Sequence, residues 1–312
     1  MLSPPSLKNV PHYPITASVI GAAVVITLMW WSGQEVDAAF MDYRVWDRWQ
    51  IWRGLTATLP HASFFHLAFN LYWTWTFGTL VERVYGHLKC LGIFLLLAMG
   101  SMLAEFAVLD GGVGLSGLGY GLWGMIFILE RHDPRFAYAV DRQTNQMFAV
   151  WFVLCIVLTV ANIMPVANIA HGVGAILGIL LGWFAYGNQA LKWKSGIGLA
   201  ALFSLILLGS TVLWPWVNLS KDAGDEIERA ALAALDRNDT KRGIQLLTLV
   251  THRKNVSARA WYNLGVAYNH AGRNEDAFAA YEHAVELPDA DSQMREVFER
   301  TRQELQLENK NR

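Results

Sequence analysis

The chain has few cysteines and no excess of charge of either sign. Cys90 and Cys155 are its two cysteines, and both lie in apolar runs, which argues against a disulfide framework and against a cysteine-based zinc site. Lysine and arginine total 25 and aspartate and glutamate total 26, for a net charge of −1. This near-neutral balance argues against nucleic acid as the main partner.

Charge is especially scarce in the first 217 residues. Of the 51 charged residues, 30 lie in residues 218–312, whereas 13 of the 14 tryptophans lie in residues 1–217. This asymmetry predicts a lipid-embedded body followed by a water-soluble tail.

Hydropathy predicts an all-α fold, a polytopic membrane helix bundle with seven spans near the ~20 residues that a bilayer requires. The spans are expected at residues 15–31, 62–80, 88–108, 115–131, 147–164, 170–187 and 196–216. The first has a polar leader and no small-residue cleavage site, which is typical of a retained signal anchor. The predicted domains are a cytoplasmic leader (1–14), a six-helix core (15–190), a seventh transmembrane helix (191–217) and a small soluble helical domain (218–312).

The loops between the spans predict the orientation. With the N-terminus inside, eight lysines and arginines fall in inner segments and three fall in outer loops. The positive-inside rule therefore favours a cytoplasmic N-terminus, and seven spans carry the C-terminal domain to the extracytoplasmic side. We expect the membrane to be a bacterial inner membrane.

In this topology the second, fourth and sixth spans begin at the outer surface with polar residues. These are His61, His66 and Asn70 on the second, Ser116 and Tyr120 on the fourth, and His171 on the sixth. Polar groups at membrane depth are costly and indicate a functional site. Small residues (Gly117, Gly121 and Gly124 on the fourth span, Gly174 and Gly178 on the sixth) would let the two helices approach closely. A serine and a histidine brought together there would form a nucleophile and its general base.

Residues 15–187 resemble the rhomboid family of intramembrane serine proteases. Four motifs carry the resemblance in order: Trp52-Arg53 in a long first loop, His61-Ala-Ser-Phe-Phe-His66-Leu-Ala-Phe-Asn70, Gly114-Leu115-Ser116-Gly117 with Tyr120, and Ala170-His171-Gly172-Val173-Gly174 with Gly178. The resemblance implies an endopeptidase that cleaves single-span membrane protein substrates near the outer surface of the lipid bilayer, without a metal or another cofactor.

The resemblance also implies roles for these residues. Ser116 and His171 would form a catalytic dyad with no acidic third member. His66, Asn70 and the Ser116 backbone N–H would hold the oxyanion, Tyr120 would orient the imidazole, and Gly114 would support the site. His61, Trp52, Arg53, Gly174 and Gly178 would be structural.

The tail resembles a tetratricopeptide repeat. Trp261, Leu264, Gly265 and Tyr268 are followed by Ala277, Tyr281, Ala284 and Pro288, and a 34-residue shift gives a weaker earlier copy. A protein or peptide partner is one expectation for residues 218–312, and a plain helical hairpin that packs on the membrane domain is the other.

Two other functions stay open at this point. A polytopic scaffold would use the polar clusters only to pack helices, and a serine-reactive fluorophosphonate would not label it. A metal transporter would need more ligands than His61, His66 and His171, and no intramembrane carboxylate is expected near them. Trp73 and Trp75 are expected to face lipid or the membrane interface.

Overall fold

The computed structural model describes residues 5–253 and 256–310, and the chain divides into two units between Ser220 and Lys221. The described residues form helices and no strand, which confirms the all-α class. In the described part of the first unit, seven long helices follow one another: α1 (Pro14–Trp31), α2 (Phe64–Tyr85), α3 (His87–Val108), α4 (Ser116–His132), α5 (Arg142–Val160), α6 (Asn168–Tyr186) and α7 (Gln189–Ser210). Short helical turns at Arg44–Asp47 and Arg53–Thr56 lie in the loop between α1 and α2, and another lies at Trp214–Val217.

Five of these helices are long and apolar enough to cross a membrane: α1, α3, α5, α6 and α7. The other two are α2 and α4. Helix α4 has 17 residues, and α2 carries His66, Asn70 and Glu82 among its apolar residues. The two helices with the weaker membrane signal are therefore those that carry most of the candidate site.

Polar caps make two helices begin earlier than hydropathy predicts. Helix α5 begins at Arg142 rather than 147, because the Asp141 side chain accepts a hydrogen bond from Thr144 N at 2.7 Å. Helix α7 begins at Gln189, where Asn188 accepts one from Leu191 N at 2.9 Å. The last span also differs from the prediction, since α7 ends at Ser210 and a separate short helix follows.

That short helix is tied to the C-terminal end of α3. The indole Nε1 of Trp214 and the amide Nδ2 of Asn218 each donate to the carbonyl oxygen of Phe106 at 2.8 Å. Asn218 Nδ2 also donates to Leu109 O at 2.7 Å, and Leu219 N donates to Val108 O at 2.8 Å. These donors satisfy carbonyl groups that the end of a helix leaves without intrahelical partners.

The core of the first unit is the contact between α4 and α6. A Cβ atom on Gly174 would overlap the carbonyl oxygen of Gly117, and a Cβ on Gly178 would overlap that of Gly121. The two backbones are therefore in direct contact, which larger residues would prevent. This contact brings the first turns of α4 and α6 together.

The tryptophans of α2 do not face lipid. Trp73 is 6% exposed and Trp75 is 8% exposed, so the expectation of interfacial anchors is wrong. Helix α2 packs against α1, α3 and α4, and Trp73 lies against Phe77 and Phe148 with ring centroids 5.0 Å apart in each pair. The neighbouring helices therefore surround this part of α2 with protein.

Glu82 ties the C-terminal end of α2 to the start of α1. Its carboxylate accepts hydrogen bonds from Ile15 N and Thr16 N at 2.9 Å and from Thr16 Oγ1 at 2.7 Å. Amides in the first turn of a helix lack intrahelical acceptors, so the buried carboxylate satisfies them.

In its described residues, the second unit contains five helices: α8 (Ala223–Leu235), α9 (Thr240–Thr251), α10 (Ala258–His270), α11 (Asn274–Glu286) and α12 (Ser292–Lys310). Consecutive helices pack against each other along the series. Gly265 on α10 lies directly against the Tyr281 ring on α11, and Gly243 on α9 lies directly against the Leu235 side chain of α8. Small residues thus mark the helix contacts within both hairpins.

Candidate active site

Ser116 and His171 meet between the first turns of α4 and α6. Ser116 is the first residue of α4, His171 is the fourth residue of α6, and His171 Nε2 lies 2.8 Å from Ser116 Oγ. This is hydrogen-bond distance, at which an imidazole can take the proton of a serine hydroxyl. The histidine is 3% exposed, whereas the serine is partly exposed.

The imidazole of His171 is held by an aromatic ring. The Tyr120 ring stacks on it with centroids 4.7 Å apart and an interplanar angle of 26°. The phenol of Tyr120 donates to the carbonyl oxygen of Phe148 at 3.1 Å, which fixes the tyrosine in turn. The Nδ1 atom of His171 is buried and has no hydrogen-bond partner among the described residues. The arrangement is thus a serine–histidine pair supported by a ring.

His61 organises the loop that precedes Ser116. Its side chain is fully buried, with Nδ1 2.8 Å from Leu59 O, and its Nε2 accepts a hydrogen bond from Leu115 N at 3.2 Å. These two partners assign the proton to Nδ1. Leu115 directly precedes Ser116, so His61 fixes the backbone next to the hydroxyl.

Gly114 permits the sharp turn of the same loop. Its φ of +102° is a conformation that side-chain-bearing residues rarely adopt, and a Cβ there would lie 2.6 Å from His66 Cε1. The backbone of Gly114 also donates from N to Ala57 O at 3.2 Å. Glycine at this position therefore lets the His66 imidazole approach the loop that leads to Ser116.

His66 and Asn70 lie one helical turn apart at the start of α2. The His66 ring is partly exposed and lies 4.8 Å from the His61 ring, centroid to centroid. The Asn70 side chain is 4% exposed, and its Nδ2 has no hydrogen-bond partner in the part of the chain that the structure describes. A buried amide donor without a partner is costly and therefore calls for an explanation.

Arg53 and Trp52 lie in the loop between α1 and α2 and act within it. Arg53 is 3% exposed, and its guanidinium donates to Asp37 O at 2.8 Å, Phe40 O at 2.7 Å and Gln50 Oε1 at 2.7 Å. The Trp52 ring lies 5.2 Å from the Arg53 guanidinium carbon. These partners all lie in the same loop, so Arg53 and Trp52 hold the loop's own backbone together.

Sequence reasoning missed one buried carboxylate near the site. Glu105, in the last turn of α3, is 2% exposed and accepts a hydrogen bond from Ala170 N at 2.9 Å, next to His171. The expectation that no intramembrane carboxylate lies near these histidines is wrong for this reason. No cluster of three or more His, Cys, Asp or Glu that could hold a metal ion occurs in residues 5–253 and 256–310.

Comparison with known proteins gives matches that cover this part of the chain. Residues 48–188 match the rhomboid domain. The chain is 32% identical over 178 residues to rhomboid protease GlpG of Pectobacterium atrosepticum, which covers 55% of this chain and 63% of that protein. It is 29% identical over 185 residues to rhomboid protease GlpG of Yersinia enterocolitica, covering 57% and 64% respectively.

These matches support the rhomboid family for the region that contains the Ser116–His171 pair. Together with the apolar helices, they support an integral membrane protein. The chain spans less than two thirds of the length of these relatives, and the rhomboid-domain match ends at residue 188, before the second unit begins.

Proposed function

We propose that this protein is an intramembrane serine endopeptidase that uses a Ser116–His171 dyad. The observation that carries the proposal is the 2.8 Å distance between Ser116 Oγ and His171 Nε2, made by residues 55 positions apart in the chain. The rhomboid protease relatives support the same activity.

The chemistry follows from the geometry of the pair. As Ser116 Oγ attacks the scissile carbonyl carbon, its proton passes to His171 Nε2, and the carbonyl oxygen becomes an oxyanion. The protonated imidazole then gives the proton to the leaving amine, which leaves an acyl-enzyme. Water deprotonated by the same imidazole hydrolyses the ester and restores both residues.

Three donors are suited to the oxyanion. Asn70 Nδ2 is buried and has no hydrogen-bond partner within residues 5–253 and 256–310, and the Ser116 N–H lies at the start of α4, where a helix leaves its amides free. The His66 imidazole lies beside Gly114 in the loop before Ser116. Loss of one such donor costs soluble serine proteases roughly 3 kcal/mol of transition-state stabilisation.

A dyad without an acid needs another way to orient its base. The stacked Tyr120 ring and the close contact between α4 and α6 supply it, because both restrict the rotation and position of the imidazole. The protonated form of His171 is then stabilised by the developing oxyanion rather than by a carboxylate on Nδ1.

The proposed substrates are single-span membrane proteins, cut near the outer surface of the bilayer. The support is the position of Ser116 at the end of a helix in a bundle of apolar helices, and the excess of lysine and arginine in the alternate loops. In this topology the N-terminus (1–14) is cytoplasmic, and the seven helices α1 to α7 carry residues 218–312 to the extracytoplasmic side.

The test is cleavage of a transmembrane substrate by the full chain in liposomes. Ser116→Ala and His171→Ala should each abolish cleavage while the protein stays folded, since either removes half of the proton-transfer pair. Matched controls are Ser195→Ala, a buried serine of α7, and His132→Ala at the far end of α4, which should both cleave normally. Near-normal cleavage by either dyad variant would overturn the assignment.

We further propose that residues 218–312 form a tetratricopeptide-like module that recruits protein or peptide partners. A 34-residue shift superposes the buried Ala230, Ala231, Leu247 and Val250 on Leu264, Gly265, Tyr281 and Ala284, which are buried as well. Two hairpins with the same buried positions support a repeat over a single hairpin. A covalently attached recruiting module would raise the local substrate concentration.

A further inference from the structure

Glu105 places a buried carboxylate at the start of the helix that carries His171. It lies in the last turn of α3, is 2% exposed, and accepts a hydrogen bond from Ala170 N at 2.9 Å. An ionisable side chain buried in a membrane protein is costly to retain, so its position indicates a function.

The first turn of α6 lacks a cap of its own. Ala167 occupies the N-cap position, and its methyl side chain cannot accept a hydrogen bond from the first turn. The first intrahelical hydrogen bond runs from His171 N to Ala167 O at 3.2 Å. Ala170 N, the residue before, therefore depends on an acceptor from outside, and Glu105 supplies it. The carboxylate thus holds the turn directly before the proposed base.

Glu105 is itself held in place. Its turn of α3 is fixed by Trp214 and Asn218, which donate to the carbonyl oxygen of Phe106. One turn earlier on α3, Ser101 lies in direct contact with the backbone of Gly117, next to Ser116. One end of α3 therefore touches the first turns of both helices that carry the dyad.

We propose that Glu105 is a positioning residue for catalysis: by capping the first turn of α6, it keeps His171 Nε2 within hydrogen-bond distance of Ser116 Oγ. The proposal rests on the dyad proposed above. Glu105 acts through the backbone of α6 and touches neither the substrate nor the reacting atoms.

Glu82 provides a matched control within the same chain. It too is a buried carboxylate near the end of one helix, 2% exposed, that caps the first turn of another, with Ile15 N and Thr16 N at 2.9 Å. The helix it caps, α1, carries neither member of the dyad. Loss of the cap at Glu82 should therefore reduce stability, whereas loss of the cap at Glu105 should also reduce turnover.

The experiment compares Glu105→Gln, Glu105→Leu and Glu82→Leu in the full chain, with kcat and KM for a transmembrane substrate and the thermal unfolding temperature. Glu105→Gln keeps an oxygen acceptor and should stay within about 3-fold of wild-type kcat. Glu105→Leu should lower kcat roughly 10- to 100-fold with KM little changed, because a small misplacement of the base slows proton transfer. Glu82→Leu should have a lower unfolding temperature than wild type, whereas its kcat should stay close to the wild-type value.

Two results would overturn the proposal. The first is a folded Glu105→Leu protein with wild-type kcat. The second is an equal fall in kcat in Glu105→Leu and Glu82→Leu when the two variants have lost the same amount of thermal stability. If Glu105→Leu does not fold, Glu105→Asp takes its place in the comparison. Its side chain is one methylene shorter, so the carboxylate lies further from Ala170 N, and the same two results would overturn the proposal. Failure of the dyad itself is distinguishable, because wild-type and Ser116→Ala proteins would then behave alike.

Discussion

The carbonyl oxygen of Gly121 occupies the space where a side chain at residue 178 would begin. Helices α4 and α6 are thus in backbone contact at a point five residues after Ser116 on α4 and seven residues after His171 on α6. The separation of the two helices, and with it the distance between the serine and the histidine, depends on the absence of a side chain at this position.

Gly178→Ala should therefore reduce both stability and activity. The added methyl group forces the backbones apart, and overpacking of this kind costs about 1–3 kcal/mol of unfolding free energy. Thermal unfolding and cleavage rate should both fall. Gly119→Ala is the matched control, because a Cβ there has no packing neighbour within 4 Å among the described residues, and it should leave both quantities near wild type. Equal behaviour of the two variants would contradict the packing argument.

Tyr120 should act through its ring rather than its hydroxyl. Tyr120→Phe removes the hydrogen bond to Phe148 O but keeps the ring that stacks on His171, so kcat should change little. Tyr120→Leu removes the ring and should lower kcat roughly 3- to 10-fold, in line with about 0.5–1.5 kcal/mol for an aromatic pair. Steady-state kinetics separates the two, and a larger loss in Tyr120→Phe would assign the role to the hydroxyl.

Asn70→Ala tests the oxyanion donor. It should lower kcat roughly 100-fold or more, because the donor is needed in the transition state. The unfolding temperature should stay near wild type, because Asn70 Nδ2 has no hydrogen-bond partner among the described residues that its removal would break.

Thr74 offers the control for Asn70. It lies one turn further along α2, is fully buried, and its Oγ1 also has no partner within the described residues. Thr74→Val should keep wild-type kcat. Unchanged turnover in Asn70→Ala, or an equal loss in Thr74→Val, would remove Asn70 from the mechanism.

Truncation tests the tail, and the cut must fall after Ser220. Removal of residues 221–312 should spare cleavage of a generic transmembrane substrate and weaken selection of natural ones, as judged by comparing shed proteins in cells. A cut after Thr211 removes the donors from Trp214 and Asn218 to Phe106 O and should destabilise the first unit as well. Equal processing of natural substrates by the 1–220 protein would refute recruitment.

Much of the bundle could be predicted from the sequence because membrane helices carry strong local signals. Each of the seven predicted spans overlaps a helix of the first unit, and the starts of α5 and α7 are predicted too late because hydropathy does not register the caps at Asp141 and Asn188. The small residues of α4 and α6 indicated close approach because their spacing leaves them on one face of each helix.

Contacts between helices that are distant in the chain could not be predicted in the same way. In the sequence, Glu105 is a single acidic residue near the end of an apolar run. The neighbouring residues give no sign that its carboxylate accepts a hydrogen bond from Ala170 N. The sequence suggests a membrane anchor at Trp73, which is in fact buried. Its burial depends on which helices surround α2, and the sequence of α2 alone does not give these. Both features result from how the helices of the bundle pack, which local sequence patterns do not determine.

The most direct test of the central claim is to locate covalent modification by a fluorophosphonate on the intact protein by mass spectrometry. The account predicts one adduct, on Ser116, formed by the wild-type protein and by Ser195→Ala but lost in Ser116→Ala and greatly slowed in His171→Ala. An adduct on another residue, or a labelling rate that His171→Ala leaves unchanged, would contradict the dyad.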